Sequence, residues 1–252
     1  MPAPRSGGIL LYLRGLLYAV GFYPLTMLFA IPCLLIGPLL PFRARFKFLT
    51  LINYFYIDWL RICCGLGVEL KGRENLPKEG AYVVVANHQS EWETLYFQTL
   101  VRPQSVVLKR ELLRIPLFGW ALALLRPIAL DRSKRRGALK QLLEQGQQRL
   151  DSGIPLLIFP QGTRVPTGKM GKLNKGGAML AVSRGVPIVP VAHNAGLYWP
   201  GNSFVKYPGT VQVSVGPAIQ TEGRSVDEVH AEVAGWLEQT MREQGSLDHA
   251  ES

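Results

Sequence analysis

The chain has 252 residues, enough for one sizeable domain and an accessory segment. Its 28 Lys and Arg against 18 Asp and Glu give a formal net charge of +10, which suits nucleic acid, an anionic membrane surface, or phosphorylated and CoA-type substrates. The lack of a basic run with interleaved aromatics argues against nucleic acid, and three cysteines (Cys33, Cys63, Cys64) without C-x-x-C or Cys/His ligand spacing argue against a disulfide scaffold or a metal site.

In chain order, the first feature is an uncharged stretch of 28 positions from Gly15 to Phe42. As one helix it measures about 42 Å, against about 30 Å of bilayer hydrocarbon. Pro24, Pro32, Pro38, Pro41 and Gly37 predict a tilted or kinked span, or a re-entrant hairpin, over a straight rod. The run is too long for a signal-peptide core. Phe42 to Leu66, rich in aromatics and edged by Arg43, Arg45 and Lys47, reads as a helix at the headgroup level. Basic residues flank the apolar stretch on both sides, so charge sets no topology. The expected organisation is therefore 1–65 membrane-inserted and interfacial helices, 66–245 a catalytic domain, and 246–252 a disordered tail.

Lys71–Gly80 reads as a polar, turn-rich linker. Buried strands are expected at Ala81–Ala86, Ser105–Leu108, Pro127–Leu130, Pro155–Phe159 and Pro187–Val191, with two more candidates in Val205–Val215. Helices are expected at Glu91–Val101, Leu117–Leu125, Arg135–Leu150, Gly176–Ser183 and Val226–Arg242. Continuous apolar strands alternating with helices predict an α/β fold, a mixed sheet flanked by helices on both faces.

Four segments carry candidate chemistry. Asn87-His88-Gln89-Ser90-Glu91-Trp92-Glu93 follows the strand AYVVVA, at the kind of strand end where sites collect in α/β sheets. On one helix His88 and Glu93 stand about 140° apart, so they meet only if His88 is in the loop and Glu93 in the first helical turn. Ser90-x-x-Glu93 has capping-box spacing, so Glu93 serves either as a cap alone or as partner of a general-base imidazole. No G-x-S-x-G elbow or H-E-x-x-H motif exists, which argues against serine and zinc hydrolases. Phe159-Pro160-Gln161-Gly162-Thr163-Arg164 also follows a buried strand and offers backbone N–H groups, a hydroxyl and a guanidinium fork to a phosphate. It is not a P-loop, because five residues separate Gly162 from Gly168-Lys169 and Met170 follows. Pro127–Arg132 ends a strand in Asp-Arg, where an Arg suits a phosphate, and Val186–Val191, a strand punctuated by two prolines, has no chemistry of its own and reads as shape that could line an acyl channel. His193, just beyond it, reads as a structural histidine.

In order and spacing, NHQSEWE, PIALDR, FPQGTR and VPIVPV resemble the four sequence blocks of the glycerolipid acyltransferase family, in particular its bacterial 1-acyl-sn-glycerol-3-phosphate members, from about Leu66 to about Val191. The resemblance implies that His88 is the base for a lipid's free sn-2 hydroxyl and that Glu93 orients it. It further implies that Arg132, Lys109 and the loop Gln161, Gly162, Thr163, Arg164 hold the acceptor's phosphate. No metal or cofactor is implied; acyl-CoA or acyl-carrier protein is the co-substrate. The implied setting is the cytoplasmic face of a bacterial inner membrane, with a membrane lipid as acceptor and phosphatidic acid as product. Three departures stand out: Glu93 where the family has Asp, Gln161 where it has Glu, and Leu125-Arg126-Pro127 where the second block usually opens with Gly. An acyltransferase for another lyso-lipid (ornithine lipid or lysophosphatidylethanolamine), or a non-catalytic lipid-binding relative, remains open on the sequence.

Overall fold

The computed structural model describes residues 8–131 and 135–248, without the side chains of Arg135 and Arg136. The apolar stretch forms one continuous helix, α1 (Ile9–Ile36, 28 residues), with Pro24 and Pro32 inside it. Each proline removes one ladder hydrogen bond. The helix continues through them because one face is packed. Tyr18 is buried, and the Thr26 hydroxyl bonds the Tyr56 hydroxyl at 2.6 Å. Gly21 lies so close to Trp59 that a Cβ there would stand 2.2 Å from the indole nitrogen. The opposite face exposes Ile9, Leu13, Leu16, Val20, Leu28 and Leu35. By length and composition, α1 can cross a membrane.

The stretch expected as one interfacial helix is two, α2 (Phe42–Leu49) and α3 (Ile52–Cys64). Thr50 turns the corner between them, its hydroxyl donating to the Phe46 carbonyl at 2.7 Å. The Arg102 guanidinium clamps this corner through the Lys47 carbonyl (2.8 Å), the Thr50 hydroxyl (3.1 Å) and the Tyr54 hydroxyl (2.7 Å). Leu51, Phe55 and Ile62 add to the exposed apolar surface.

Gly65, in the left-handed region, ends α3 and releases β1 (Leu66–Lys71). The sequence reading placed only its two ends, Leu66 in the preceding helix and Lys71 in the linker, and assigned no element to Gly67–Leu70. The remaining elements are β2 (Val83–Ala86), α4 (Trp92–Leu100), β3 (Ser105–Lys109), α5 (Phe118–Ala123), β4 (Ile128–Leu130), α6 (Arg135–Asp151), β5 (Leu156–Ile158), α7 (Gly176–Arg184), β6 (Ile188–His193), β7 (Gly209–Val215) and α8 (Val226–Glu243). Only one strand, β7, forms in Val205–Val215.

The seven strands form one sheet in the order β1-β7-β6-β2-β5-β3-β4. Every pairing is parallel except β6 with β7, so the sheet is mixed, as expected. One face packs against α3 and α4 through Leu60, Cys64, Trp92 and Phe97. The other packs against α6, α7 and α8 through Leu142, Leu180, Val233 and Leu237. A smaller core of Cys33, Phe46, Leu49 and Leu125 joins α1, α2 and α5. Within the stretch expected as tail, Ser246 and Leu247 are buried, and Leu247 bridges to Gly168.

Four neighbouring parallel strands, β2, β5, β3 and β4, carry three of the four candidate segments and Lys109. Their carboxyl ends share one edge of the sheet, so His88, the Gln161–Arg164 loop, Lys109 and Asp131 are gathered there. Arg132 lies outside the described residues.

Candidate active site

His88 leaves the sheet two residues after β2, and its neighbours fix where it emerges. The Asn87 side chain donates to the His193 carbonyl (2.8 Å) and accepts from the His193 N–H (2.9 Å), tying the end of β2 to β6. The His88 ring lies against Phe159 at 4.3 Å between centroids. Its Nδ1 is 2.7 Å from Glu93 Oε1. With the carboxylate on Nδ1, the proton sits there and Nε2 keeps the lone pair, which is the tautomer a general base needs.

Glu93 is fully buried, and the same Oε1 accepts from the N–H groups of Gln89 (2.9 Å) and Ser90 (2.8 Å). Ser90 Oγ accepts from the Trp92 N–H at 3.1 Å, but the N-cap of α4 is Glu91, so the expected Ser90–Glu93 capping box does not form. Glu93 is the imidazole's partner and the acceptor of two loop N–H groups. Burial opposes its ionisation, but the nearby imidazoles and the hydrogen bonds from His88 and Ser90 outweigh that, holding the carboxyl below its ordinary range.

His193 is also fully buried, with Nε2 donating to the Asn87 carbonyl (2.8 Å) and Nδ1 accepting from the Ala195 N–H (3.2 Å). Both ring nitrogens are engaged in one neutral tautomer. Burial pushes its pKa down despite the Glu93 charge.

The FPQGTR loop grips the His88 loop from the next strand. Gln161 Oε1 accepts from the His88 N–H at 2.9 Å, and Gln161 Nε2 donates to the Met170 carbonyl at 3.1 Å. The Val165 N–H donates to the His88 carbonyl at 2.8 Å. Gln161 is buried with both ends of its amide held inside the fold, so the expected phosphate contact is corrected to a support for His88. Gly162, in the left-handed region, gives its N–H to the Phe159 carbonyl (3.0 Å) and so closes the turn.

Thr163 and Arg164 do face the cavity, as does Lys109. Arg164 Nη1 pairs with Glu91 Oε1 at 2.6 Å and approaches Asn202 Oδ1 at 3.3 Å. The Asn202 N–H donates to the same Glu91 oxygen at 3.1 Å. Glu91, Asn87 and Asn202 carried no role in the sequence reading. The first two lie in the block already singled out, but their partners are 73 to 111 residues away and leave no local signal. Lys206 is buried on the cavity wall with its ammonium 4.4 Å from the Trp199 ring centroid, and burial lowers its pKa.

The cavity has a volume of about 850 Å³. Exposed Thr163 and half-buried His88 and Arg164 line it at the sheet edge, and it extends among α1, α3, α4 and α5, where Phe29, Ala30, Phe118, Leu122 and Leu125 line it. A base and cations at the mouth with a mostly apolar interior suit a ligand that has an anionic head, a hydroxyl and a long apolar chain.

Comparison with known proteins agrees with this chemistry. A sequence model described as "Acyltransferase" matches residues 67–194. The chain is 49% identical over 212 residues to the 1-acyl-sn-glycerol-3-phosphate acyltransferase of Pseudomonas aeruginosa, covering 82% of each. It is 33% identical over 193 residues to the protein of the same description from Saccharomyces cerevisiae, covering 73% of this chain and 61% of that one. The crystal structure of the 1-acyl-sn-glycerophosphate (LPA) acyltransferase PlsC from Thermotoga maritima superposes with a TM-score of 0.75 at 25% identity, covering 96% of this chain and 97% of that one.

Proposed function

Because the chain belongs to the acyltransferase family, we infer that it moves a fatty acyl group onto the sn-2 hydroxyl of 1-acyl-sn-glycerol 3-phosphate, giving phosphatidic acid for phospholipid synthesis. The observation that carries the reading is the His88–Glu93 pair, 2.7 Å apart at the mouth of a lipid-sized cavity rimmed by Arg164 and Lys109.

In this reading His88 Nε2 removes the proton of the sn-2 hydroxyl as its oxygen bonds to the thioester carbonyl carbon. Glu93 stabilises the imidazolium that forms. When the tetrahedral intermediate collapses, the C–S bond breaks and the thiolate takes the proton from His88. No acyl-enzyme forms. Arg164, Lys109 and Arg132 hold the glycerol phosphate, Thr163 adds a hydroxyl, and the Gly162 turn sets the approach. The donor is acyl-CoA or acyl-carrier protein, whose shared thioester the mechanism requires. The exposed apolar faces of α1 and α3 rest in a bilayer, and the three unpaired cysteines suit the cytoplasmic side of an inner membrane.

The test uses purified protein with lysophosphatidate and a panel of acyl thioesters. His88→Ala should lower kcat by at least about a hundredfold to ten-thousandfold while vesicle binding persists. Retained turnover removes His88 from the chemistry.

A further inference from the structure

The cavity running inward from His88 is not apolar throughout. At one-turn spacings Glu91, the N-cap of α4, and Thr94 and Gln98 within α4 line it, and α3 contributes Asn53. These deeper groups are partnered: Asn53 Nδ2 donates to Gln98 Oε1 (3.1 Å), and Gln98 Nε2 donates to the Thr94 carbonyl (3.1 Å). Gln104 is different. It precedes β3, lines the same cavity and is only 2% exposed, yet neither its amide oxygen nor its amide nitrogen has a partner among the described residues. A buried amide with both ends unmet is a rare exception in folded proteins.

Its depth follows from strand register. Ser105 lies level with Leu156, and Leu156 with Val83, so His88 is five residues further along the same direction. At about 3.3 Å per residue, Gln104 sits roughly 16 Å or more below the catalytic imidazole. A chain whose thioester carbonyl is at His88 therefore meets Gln104 with its distal half. An acceptor and a donor on one carbon match a group that both donates and accepts. In a fatty chain that group is a hydroxyl.

We propose that Gln104 forms a hydroxyl-binding subsite at the inner end of the cavity, suited to an acyl chain hydroxylated in its distal half. The hydroxyl donates to Oε1 and accepts from Nε2; a methylene at that point leaves both unmet. The proposal rests on the reading that this cavity holds an acyl chain.

The experiment uses the full-length protein in lipid vesicles, with palmitoyl-CoA, ω-hydroxypalmitoyl-CoA and β-hydroxypalmitoyl-CoA as donors. A second arm places the same three chains at sn-1 of the lysophosphatidate acceptor, which tells whether the donor's or the acceptor's chain reaches Gln104. In one arm the ω-hydroxy chain should match or exceed the plain chain in kcat/KM, with no such advantage for the β-hydroxy chain. Gln104→Leu should cost the ω-hydroxy chain at least about tenfold while the plain chain stays within about twofold or improves. Gln104→Met gives the same readout if the leucine variant does not fold. Equal losses for both chains, or rejection of the ω-hydroxy chain by more than about tenfold in both arms, overturn the subsite. If the unsubstituted protein does not transfer palmitoyl to lysophosphatidate at all, the functional reading itself fails, and the subsite with it.

Discussion

Gln161 stands where the related sequence block carries glutamate, and its two ends do opposite work. Oε1 accepts from the His88 N–H, while Nε2 donates to the Met170 carbonyl. A carboxylate would keep the first bond and set an oxygen against an oxygen at the second. Gln161→Glu is therefore expected to lower kcat by about tenfold at neutral pH, with activity recovering relative to the parent as pH falls and the new carboxyl protonates. Gln161→Ala should lower kcat and leave the KM for lysophosphatidate nearly unchanged. A raised KM with normal kcat would restore the residue to the phosphate. A second residue-scale expectation concerns His193. Its pKa is lowered in the fold, so the unfolded chain binds the extra proton first, and the stability His193 confers is present above about pH 6.5 and drains as pH falls below it. Glu93, also lowered, contributes fully above the ordinary carboxyl range and loses that contribution as pH falls from there through its depressed value. Melting temperature should therefore begin to fall below about pH 6.5, and His193→Gln should flatten that first decline; an unchanged slope contradicts the assignment. The sequence left Glu93 as either a cap or the partner of His88, since the two meet only with one in the loop and the other in the first helical turn, and that is the arrangement found. The role of Gln161 was not legible, since its partner is 73 positions away.

Among the elements, the buried strands and the helices on the α6–α8 side were readable because long apolar runs and helical periodicity mark them. The strand β1 was not. Its LGVELK alternates at the edge of the sheet directly after an aromatic helix, and only pairing with β7, from Leu66↔Gly209 to Lys71↔Ser214, fixes it as a strand. α1 was readable as lipid-grade but not as continuous, because the contacts that carry it past two prolines lie on α3. One of them is Trp59, which lies so near Gly21 that no Cβ fits there. Gly21→Leu should push α1 away from Trp59 and open one wall of the cavity. Transfer of long acyl chains should fall about tenfold or more, with α1 becoming sensitive to limited proteolysis while the sheet domain resists. Unchanged activity and protection would show that α1 is not needed as a wall.

At the scale of the whole molecule, charge and apolar surface act together. The net charge of +10 and the exposed faces of α1 and α3 predict two-component membrane binding. Raising salt from low to about 0.5 M should weaken binding to anionic vesicles severalfold, since the Debye length shrinks well below 10 Å, and should leave binding to neutral vesicles nearly constant. Salt-independent binding to both would assign the attachment to apolar contact alone. The Arg164–Glu91 pair has a consequence for which lipids can settle at the mouth. Before any ligand arrives the guanidinium already has a carboxylate, so an incoming headgroup must offer a better anion than the one it displaces. A phosphate monoester can make that exchange; a neutral headgroup cannot, and it finds the latch closed.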